Sequence, residues 1–364
     1  MHRKEISWVW LLPYFLAIVM PRSISGNPEL FFTFAKIGLI GLGFFGLVIN
    51  GKLHFQIDRL ISSIIVIGAG LVFSIPYTED ISFPRILLYL LILLHFSSNY
   101  EKINGADKLF NGLILLTVIS LIISIIFPDF FFFYYSWNSF DQSFFFLDNN
   151  KFVALYGLHS TAAFVYGVFI FWLINANKNS LIEWCLFLIF FYLIIFMQSV
   201  SAFVAILFVS LILLRKIRVM NIIFLLMLLS IFLILYYDSE LSQKYLKIIF
   251  VSISNRITET GIGFNIGNLL FNPIGFYNDE NAYWGDFGYL DHIRRFSFFA
   301  LLFYYAYFKM VYKNLNFVKN IYFFIIFLFI LEFGHTISKS RDFFPIIILL
   351  IFAMKAKYSK YEKF

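Results

Sequence analysis

Residues 109–127 read LFNGLILLTVISLIISIIF, nineteen residues without a charge. A helix of about 20 mainly apolar residues crosses the roughly 30 Å hydrocarbon layer of a bilayer. A helix that is apolar all round belongs in a membrane or at the centre of a large core. Runs of this kind recur at 8–20, 30–49, 60–76, 83–96, 152–174, 181–197, 200–214, 219–237, 296–311, 321–337 and 343–354. The spacing predicts an all-α integral membrane protein with about 12 transmembrane helices, in a range of 10–12. The chain, 1–364, reads as one polytopic domain.

Composition agrees with that reading. The 364 residues are 61% hydrophobic, 22% aromatic and 13% charged, with 52 Phe. A soluble domain is about 45–50% apolar and about 25% charged. A soluble enzyme, a disordered chain and a nucleic-acid binder are therefore excluded by composition. One cysteine, Cys185, leaves no intramolecular disulfide and no cysteine metal cluster. Arg3 and Lys4 precede the first apolar run, but no small-residue cleavage site follows, so that run is read as a span rather than a signal peptide.

With the N-terminus placed in the cytoplasm, the cytoplasmic stretches hold 17 basic and five acidic residues, and the other side ten basic and 14 acidic. That is the bias of the positive-inside rule, and it puts both termini in the cytoplasm. Two external loops follow, a smaller one at 128–151 and a large one at 238–295. Loops longer than about 15 residues in a compact protein are usually functional or disordered. The large loop is rich in Tyr, Trp and Phe. It opens on an amphipathic run with Leu241, Tyr245, Ile248 and Ile249 on one face and Lys244 and Lys247 on the other, which reads as a helix lying on the membrane surface.

Polar side chains gather on the external side. They are Arg85, Arg256, Glu259, Asp291, His292, Arg294, Arg295, Glu332, His335, Lys339, Arg341 and Asp342. Arginine offers a planar fork of donors that suits phosphate oxygens. The run 343–354 is short, so a span there is expected to recruit residues before Phe343 and to draw Arg341 and Asp342 toward membrane depth. Arg341 and Lys339 also admit a purely structural reading, as a network in which Asp342 and Glu332 neutralise them. His292 has the ring chemistry of a base at neutral pH. The six His show no ligand spacing, so no metal is expected, and no nucleotide-binding fingerprint appears.

Four stretches carry a family resemblance. Leu147-Asp148-Asn149-Asn150-Lys151-Phe152-Val153-Ala154 is similar to an Asn-containing entry into a middle helix. Gln198-Ser199-Val200-Ser201-Ala202 is similar to a Ser-Arg-small-Ala helix start. Asn255-Arg256, then Asn272-Pro273-Ile274-Gly275-Phe276, resembles an Arg followed by Pro-x-Gly in a large loop, and Asp291-His292 resembles the residues that close that loop. With the span count and loop position, these resemble the O-antigen polymerases of the Wzy type, within a superfamily that includes the O-antigen ligases. The sequence departs from the pattern at Val200, where the family often has Arg; Arg22, Arg85 or Arg341 would then have to supply that charge.

The resemblance implies a glycosyltransferase of the inner (plasma) membrane, active on its periplasmic side. Its substrates would be undecaprenyl-diphosphate-linked oligosaccharides, joined with release of undecaprenyl diphosphate. It implies His292 or Asp291 as base, with Arg256, Arg294, Arg295, Arg341, Lys339, His335 and Arg85 toward the diphosphates, and Tyr283 and Trp284 toward sugars. No cofactor, metal or nucleic acid is implied; membrane lipids and a chain-length regulator protein are the other partners. Two other readings stay open. An O-antigen ligase shares the plan, and a lipid-linked oligosaccharide flippase would also have about twelve spans. A flippase built from two similar halves should show an internal repeat, which this sequence lacks.

Overall fold

A computed structural model describes residues 6–20, 29–50, 103–127, 154–156, 159–176, 181–196, 289, 299–319, 321–334 and 344–358. These residues are almost wholly helical. The elements are β1 (Ile6–Ser7), a 3₁₀ turn (Trp8–Leu11), α1 (Leu12–Val19), α2 (Glu29–Asn50), β2 (Ile103–Asn104) and α3 (Ala106–Ile126). They continue with a 3₁₀ turn (Ala154–Tyr156), α4 (His159–Ala176), α5 (Leu181–Phe196), α6 (Phe299–Leu315), α7 (Ile321–Gly334) and α8 (Phe344–Tyr358). The all-α class therefore holds. Among the described residues one helix, α3, is long and apolar enough to cross a membrane. The apolar runs at 60–76, 83–96, 200–214 and 219–237 lie outside the described residues, as do the 128–151 loop and all of 238–295 except Tyr289.

Two expectations change. The run at 152–174 is not one helix: a 3₁₀ turn at Ala154–Tyr156 precedes α4, which starts at His159. Gly157 falls between them in sequence, and glycine costs about 1 kcal/mol inside a helix. The last helix is described from Phe344 and runs past Met354 to Tyr358; Arg341 and Asp342 lie outside the described residues. Pro345 is its second described residue, a place that suits a residue without a backbone N–H. The added length comes from the C-terminal side and carries Lys355 into the packed interior, where it is 9% exposed.

That last helix is the centre of the bundle. Every side chain from Phe344 to Ala356 is buried, and α8 packs on α1, α3, α4, α6 and β2. Aromatic contacts bind the layer around it. Phe171 of α4 stacks on Phe324 of α7 with centroids 4.5 Å apart, and Phe164 stacks on Phe327 at 6.4 Å. Phe190 of α5 meets Tyr166 at 5.3 Å and Phe169 at 5.2 Å, while Phe110 of α3 meets Trp172 at 5.0 Å. Such pairs add about 0.5–1.5 kcal/mol each beyond their buried area.

The helices alternate in direction. β1 pairs in parallel with β2, Ile6 opposite Ile103 and Ser7 opposite Asn104. Each strand leads directly into a helix, so α1 and α3 start at the same end of the bundle. Gly105 makes the turn into α3 at φ +83, where a Cβ would also meet Trp8 Cδ1 at 2.9 Å. The end of α2 reaches the same end, with Gly46 against Trp10. The ends of α4 and α8 join them, because Trp172 Nε1 donates to Asn111 Oδ1 at 2.9 Å and the Lys357 ammonium lies 5.5 Å from the Trp172 ring.

α3 has an inverted polarity for a surface helix. Its outward stripe is Leu115, Ile119, Ile122 and Ile126, between 42% and 61% exposed. Its buried side carries Thr117, Ser120 and Ser124. Their hydroxyls donate to Leu113 O at 2.8 Å, Thr117 O at 2.7 Å and Leu121 O at 2.7 Å. Thr117 Oγ1 also shares a hydrogen bond with Tyr156 OH at 2.6 Å, which ties the 3₁₀ turn to α3.

Close packing tests this arrangement. A Cβ at Gly167 would fall inside the Phe327 ring. That ring is buried and stacked against Phe164 and Phe324, so it cannot swing away cheaply. Gly167→Val is expected to destabilise by about 1–3 kcal/mol through overpacking. Adding Phe327→Leu should recover part of the loss. Thermal unfolding of the detergent-solubilised variants checks this, and an additive double variant would contradict the contact.

Candidate functional site

The acid of α7, Glu332, is the best-defined polar group of the sequence-predicted set. Glu332 sits in the last turn of α7 and is 1% exposed. Tyr304, near the start of α6, donates its hydroxyl to Glu332 Oε1 at 2.8 Å. Tyr307, one turn further along α6, lies within electrostatic reach of the same carboxylate. A buried ionised group is costly unless it is hydrogen-bonded, so the Tyr304 donor supports the carboxylate directly.

Tyr289 completes the group from the large loop. Its hydroxyl donates to Phe329 O at 2.9 Å. Its ring packs on Tyr304 at 4.6 Å and on Phe329 at 5.2 Å. Burial raises the Tyr289 phenol above its ordinary pKa, and the charge of Glu332 adds to the rise, as does Tyr307. Tyr289 is therefore a pin. It holds its own position in the chain, two residues before Asp291 and three before His292, against the α6–α7 pair.

Asp291, His292, Arg256, Arg294, Arg295, Arg341, Lys339, His335, Arg85, Tyr283 and Trp284 lie outside the described residues. Of the polar residues singled out in the sequence, Glu332 alone is described, and its described partners are tyrosines. The tyrosines were a missed signal: Tyr304 and Tyr307 are three apart on one helix face, in line with the turn of α6. Among the described residues no three of His, Cys, Asp and Glu come together as a metal site.

The opposite end of the bundle is basic. Lys355 follows directly on the apolar run that ends at Met354, and its ammonium donates to Asn314 Oδ1 at 3.3 Å. Asn314 is itself buried, and its Nδ2 donates to Met310 O at 2.9 Å, which fixes the amide with its oxygen toward the lysine. Burial first, and then the neighbouring Lys313 charge, lower the Lys355 pKa to about 7.

No family model matches the sequence, and no curated protein matches it.

Two measurements follow from these contacts. Tyr304→Phe removes a donor to a buried carboxylate and is expected to cost about 1.5–3 kcal/mol. Tyr304→Phe added to Glu332→Gln should cost less than the sum of the two, because both act on one bond; thermal midpoints in detergent give the comparison. The second concerns pH. The folded Lys355 releases its proton near 7, whereas the unfolded chain keeps it to about 10.5. Between those values the unfolded state binds more protons, so stability from this group rises with pH, and its burial penalty is full below 7. Charged groups on the elements packed against α8 are Asp107 and Lys108 on α3 and Lys309 and Lys313 on α6; α1 and α4 bring Tyr14 and Tyr166. Lys355→Met isolates the effect: its advantage over the wild type should be largest near pH 7 and shrink toward pH 10. A constant difference would contradict the buried ammonium.

Proposed function

We propose that the chain is a multi-pass inner-membrane glycosyltransferase, a surface-polysaccharide polymerase of the O-antigen type. The observation that carries the reading is the pin at Tyr289, which joins the end of the large loop to the buried Glu332 group. Membrane insertion is supported by α3, whose apolar stripe faces outward while its hydroxyls face inward. Soluble proteins rarely expose a contiguous apolar surface of that kind.

The reaction joins two lipid-linked oligosaccharides on the periplasmic face. The terminal hydroxyl oxygen of one unit attacks the anomeric carbon of the growing chain. The bond from that carbon to undecaprenyl diphosphate breaks, and the electron pair leaves with the diphosphate. His292, or Asp291, takes the hydroxyl proton, since a base must stand within hydrogen-bond reach of the proton it removes. Arg256, Arg294, Arg295 and Arg341 stabilise the charge that develops on the leaving diphosphate, with Lys339, His335 and Arg85 adding to the field. Tyr283 and Trp284 offer apolar faces to sugar rings. Glu332 and its tyrosines hold the loop end from which Asp291 and His292 follow. Membrane lipids surround the spans, and a chain-length regulator protein sets the product size.

Deletion and complementation test the reading on a gel of extracted lipopolysaccharide. Loss of the ladder down to core plus a single repeat unit is the expected result. Loss of even that unit, with lipid-linked polymer accumulating in the periplasm, would identify a ligase. Single lipid-linked units left on the cytoplasmic face would identify a flippase. Complementation by His292→Ala and Asp291→Ala with an unchanged ladder would remove the base assignment. Arg341→Lys should shorten the ladder if the arginine grips a diphosphate bidentately.

A further inference from the structure

The outward faces of three helices change character toward one end of the bundle. On α3 the exposed residues run Lys108, Asn111, Leu115, Ile119, Ile122 and Ile126, at helical spacing. The first two are polar and the rest aliphatic. α6 approaches the same end with its last turn and shows the reverse order: Leu301, Tyr305, Lys309 and Tyr312, then Asn316 just past its end. On α7 exposed Tyr322 stands in the first turn, and exposed Phe329 follows two turns on. α2 and α5 stay apolar up to this end, where Ile49 is followed by Asn50 and Leu181 is preceded by Ser180.

These changes share one level. Trp172 of α4 donates to Asn111 on α3 and lies beneath the Lys357 ammonium of α8. Two residues back along α8, Lys355 donates to Asn314 of α6. Two residues are about 3 Å of helix rise, so Asn111 and Asn314 stand within about one turn of each other in depth. Tyr312 is two residues from Asn314, and its hydroxyl shares a hydrogen bond with that of Tyr322 at 3.2 Å. Trp8, 44% exposed, lies against Gly105 at the start of α3.

The residues at this level are of one chemical kind. Lysine, tyrosine and tryptophan each join an apolar body to a polar tip, and Trp and Tyr concentrate where hydrocarbon meets headgroups. On the inner side, toward Leu301, the Lys309 ammonium donates to the Tyr305 hydroxyl at 3.0 Å and stands 4.9 Å from that ring's centre. The phenol therefore covers the charge where the face turns apolar. Lys108 to Asn111, and Lys309 to Tyr312, each span about 4.5 Å along their helices. A headgroup layer about 5–7 Å deep on each side of a bilayer accommodates that span.

We propose that Trp8, Lys108, Asn111, Lys309, Tyr312 and Tyr322 form a girdle that docks on the phospholipid headgroup layer of the cytoplasmic leaflet. Both charged members are cations, which suits phosphate-bearing headgroups. The inference rests on the membrane insertion proposed above and goes beyond it: the girdle fixes how deep the bundle sits and how far it tilts, because interfacial anchors set both.

The test measures depth with nitroxide labels. A Cys185→Ser chain, full length, carries one new cysteine at a time, Lys108→Cys, Tyr322→Cys or Ile119→Cys, in bilayers of phosphatidylcholine and phosphatidylglycerol. All three native positions are exposed, so the labels leave the core intact. Collision with oxygen, which enters hydrocarbon, is compared with collision with a nickel chelate, which stays in water. The labels at 108 and 322 should report headgroup depth, within about 6 Å of each other, and the label at 119 should lie about 15 Å deeper. The girdle is overturned if 119 reads as hydrocarbon while 108 or 322 lies as deep or stands free in water. It is also overturned if 108 or 322 is reached by neither reagent, since a protein surface then covers that face. Full access of the chelate to all three labels would overturn the membrane reading itself, and the girdle with it.

Discussion

The burial of α8 on every side is the constraint on which the rest of the structure depends. A helix enclosed by α1, α3, α4 and α6 has no face left for solvent or lipid, so its whole circumference has to be apolar. The sequence PIIILLIFAM from Pro345 to Met354 meets that demand. Proteins fill such interiors to the density of organic crystals, so each neighbour must match the shape it meets. The neighbours do so with rings and glycines. Gly167 admits Phe327 between α4 and α7, and Gly43 and Gly46 admit Tyr14 and Trp10 between α1 and α2. Small residues that let helices approach closely are the usual device where a hydrophobic drive between helices is missing.

Enclosing α8 also separates the chemistry of the two ends. Toward the end where α7 finishes, a carboxylate is buried among tyrosines. Toward the end where α8 finishes, lysines and an oriented amide converge. The two groups sit at opposite ends of antiparallel helices. The parallel pairing of β1 with β2 supplies the register: it sets the start of α1 beside the start of α3, and the later helices alternate from there.

Much of this was legible from residues alone, and the exceptions have physical reasons. Apolar runs located α2, α3, α5, α6 and α7 to within a few residues, because a long run with few charges reads as one helix. The last helix runs past the expected end at Met354 to Tyr358, because lysines at a helix's C-terminal end are compatible with continuing it. The break before α4 was missed because Ala154, Leu155 and Tyr156 are apolar, and hydropathy does not distinguish a 3₁₀ turn from an α-helix. Glu332 stood out as a buried acid in an apolar run, but Tyr304 and Tyr289 are 28 and 43 residues away in sequence. No local pattern identifies partners at that distance. The candidates around His292 rest on resemblance and lie outside the described residues.

The central claim is that these two ends face opposite sides of a membrane. Cys185 is the single cysteine, so a Cys185→Ser chain accepts one reporter at a time. Phe127→Cys marks the end where α3 stops, and Lys319→Cys marks the turn between α6 and α7; both native positions are exposed. Labelling with a membrane-impermeant maleimide is then measured in intact spheroplasts and again after the membrane is opened. The account predicts that Phe127→Cys reacts in intact spheroplasts and that Lys319→Cys reacts only after opening. Equal labelling of both in intact spheroplasts, or recovery of the chain in the soluble fraction, would contradict it.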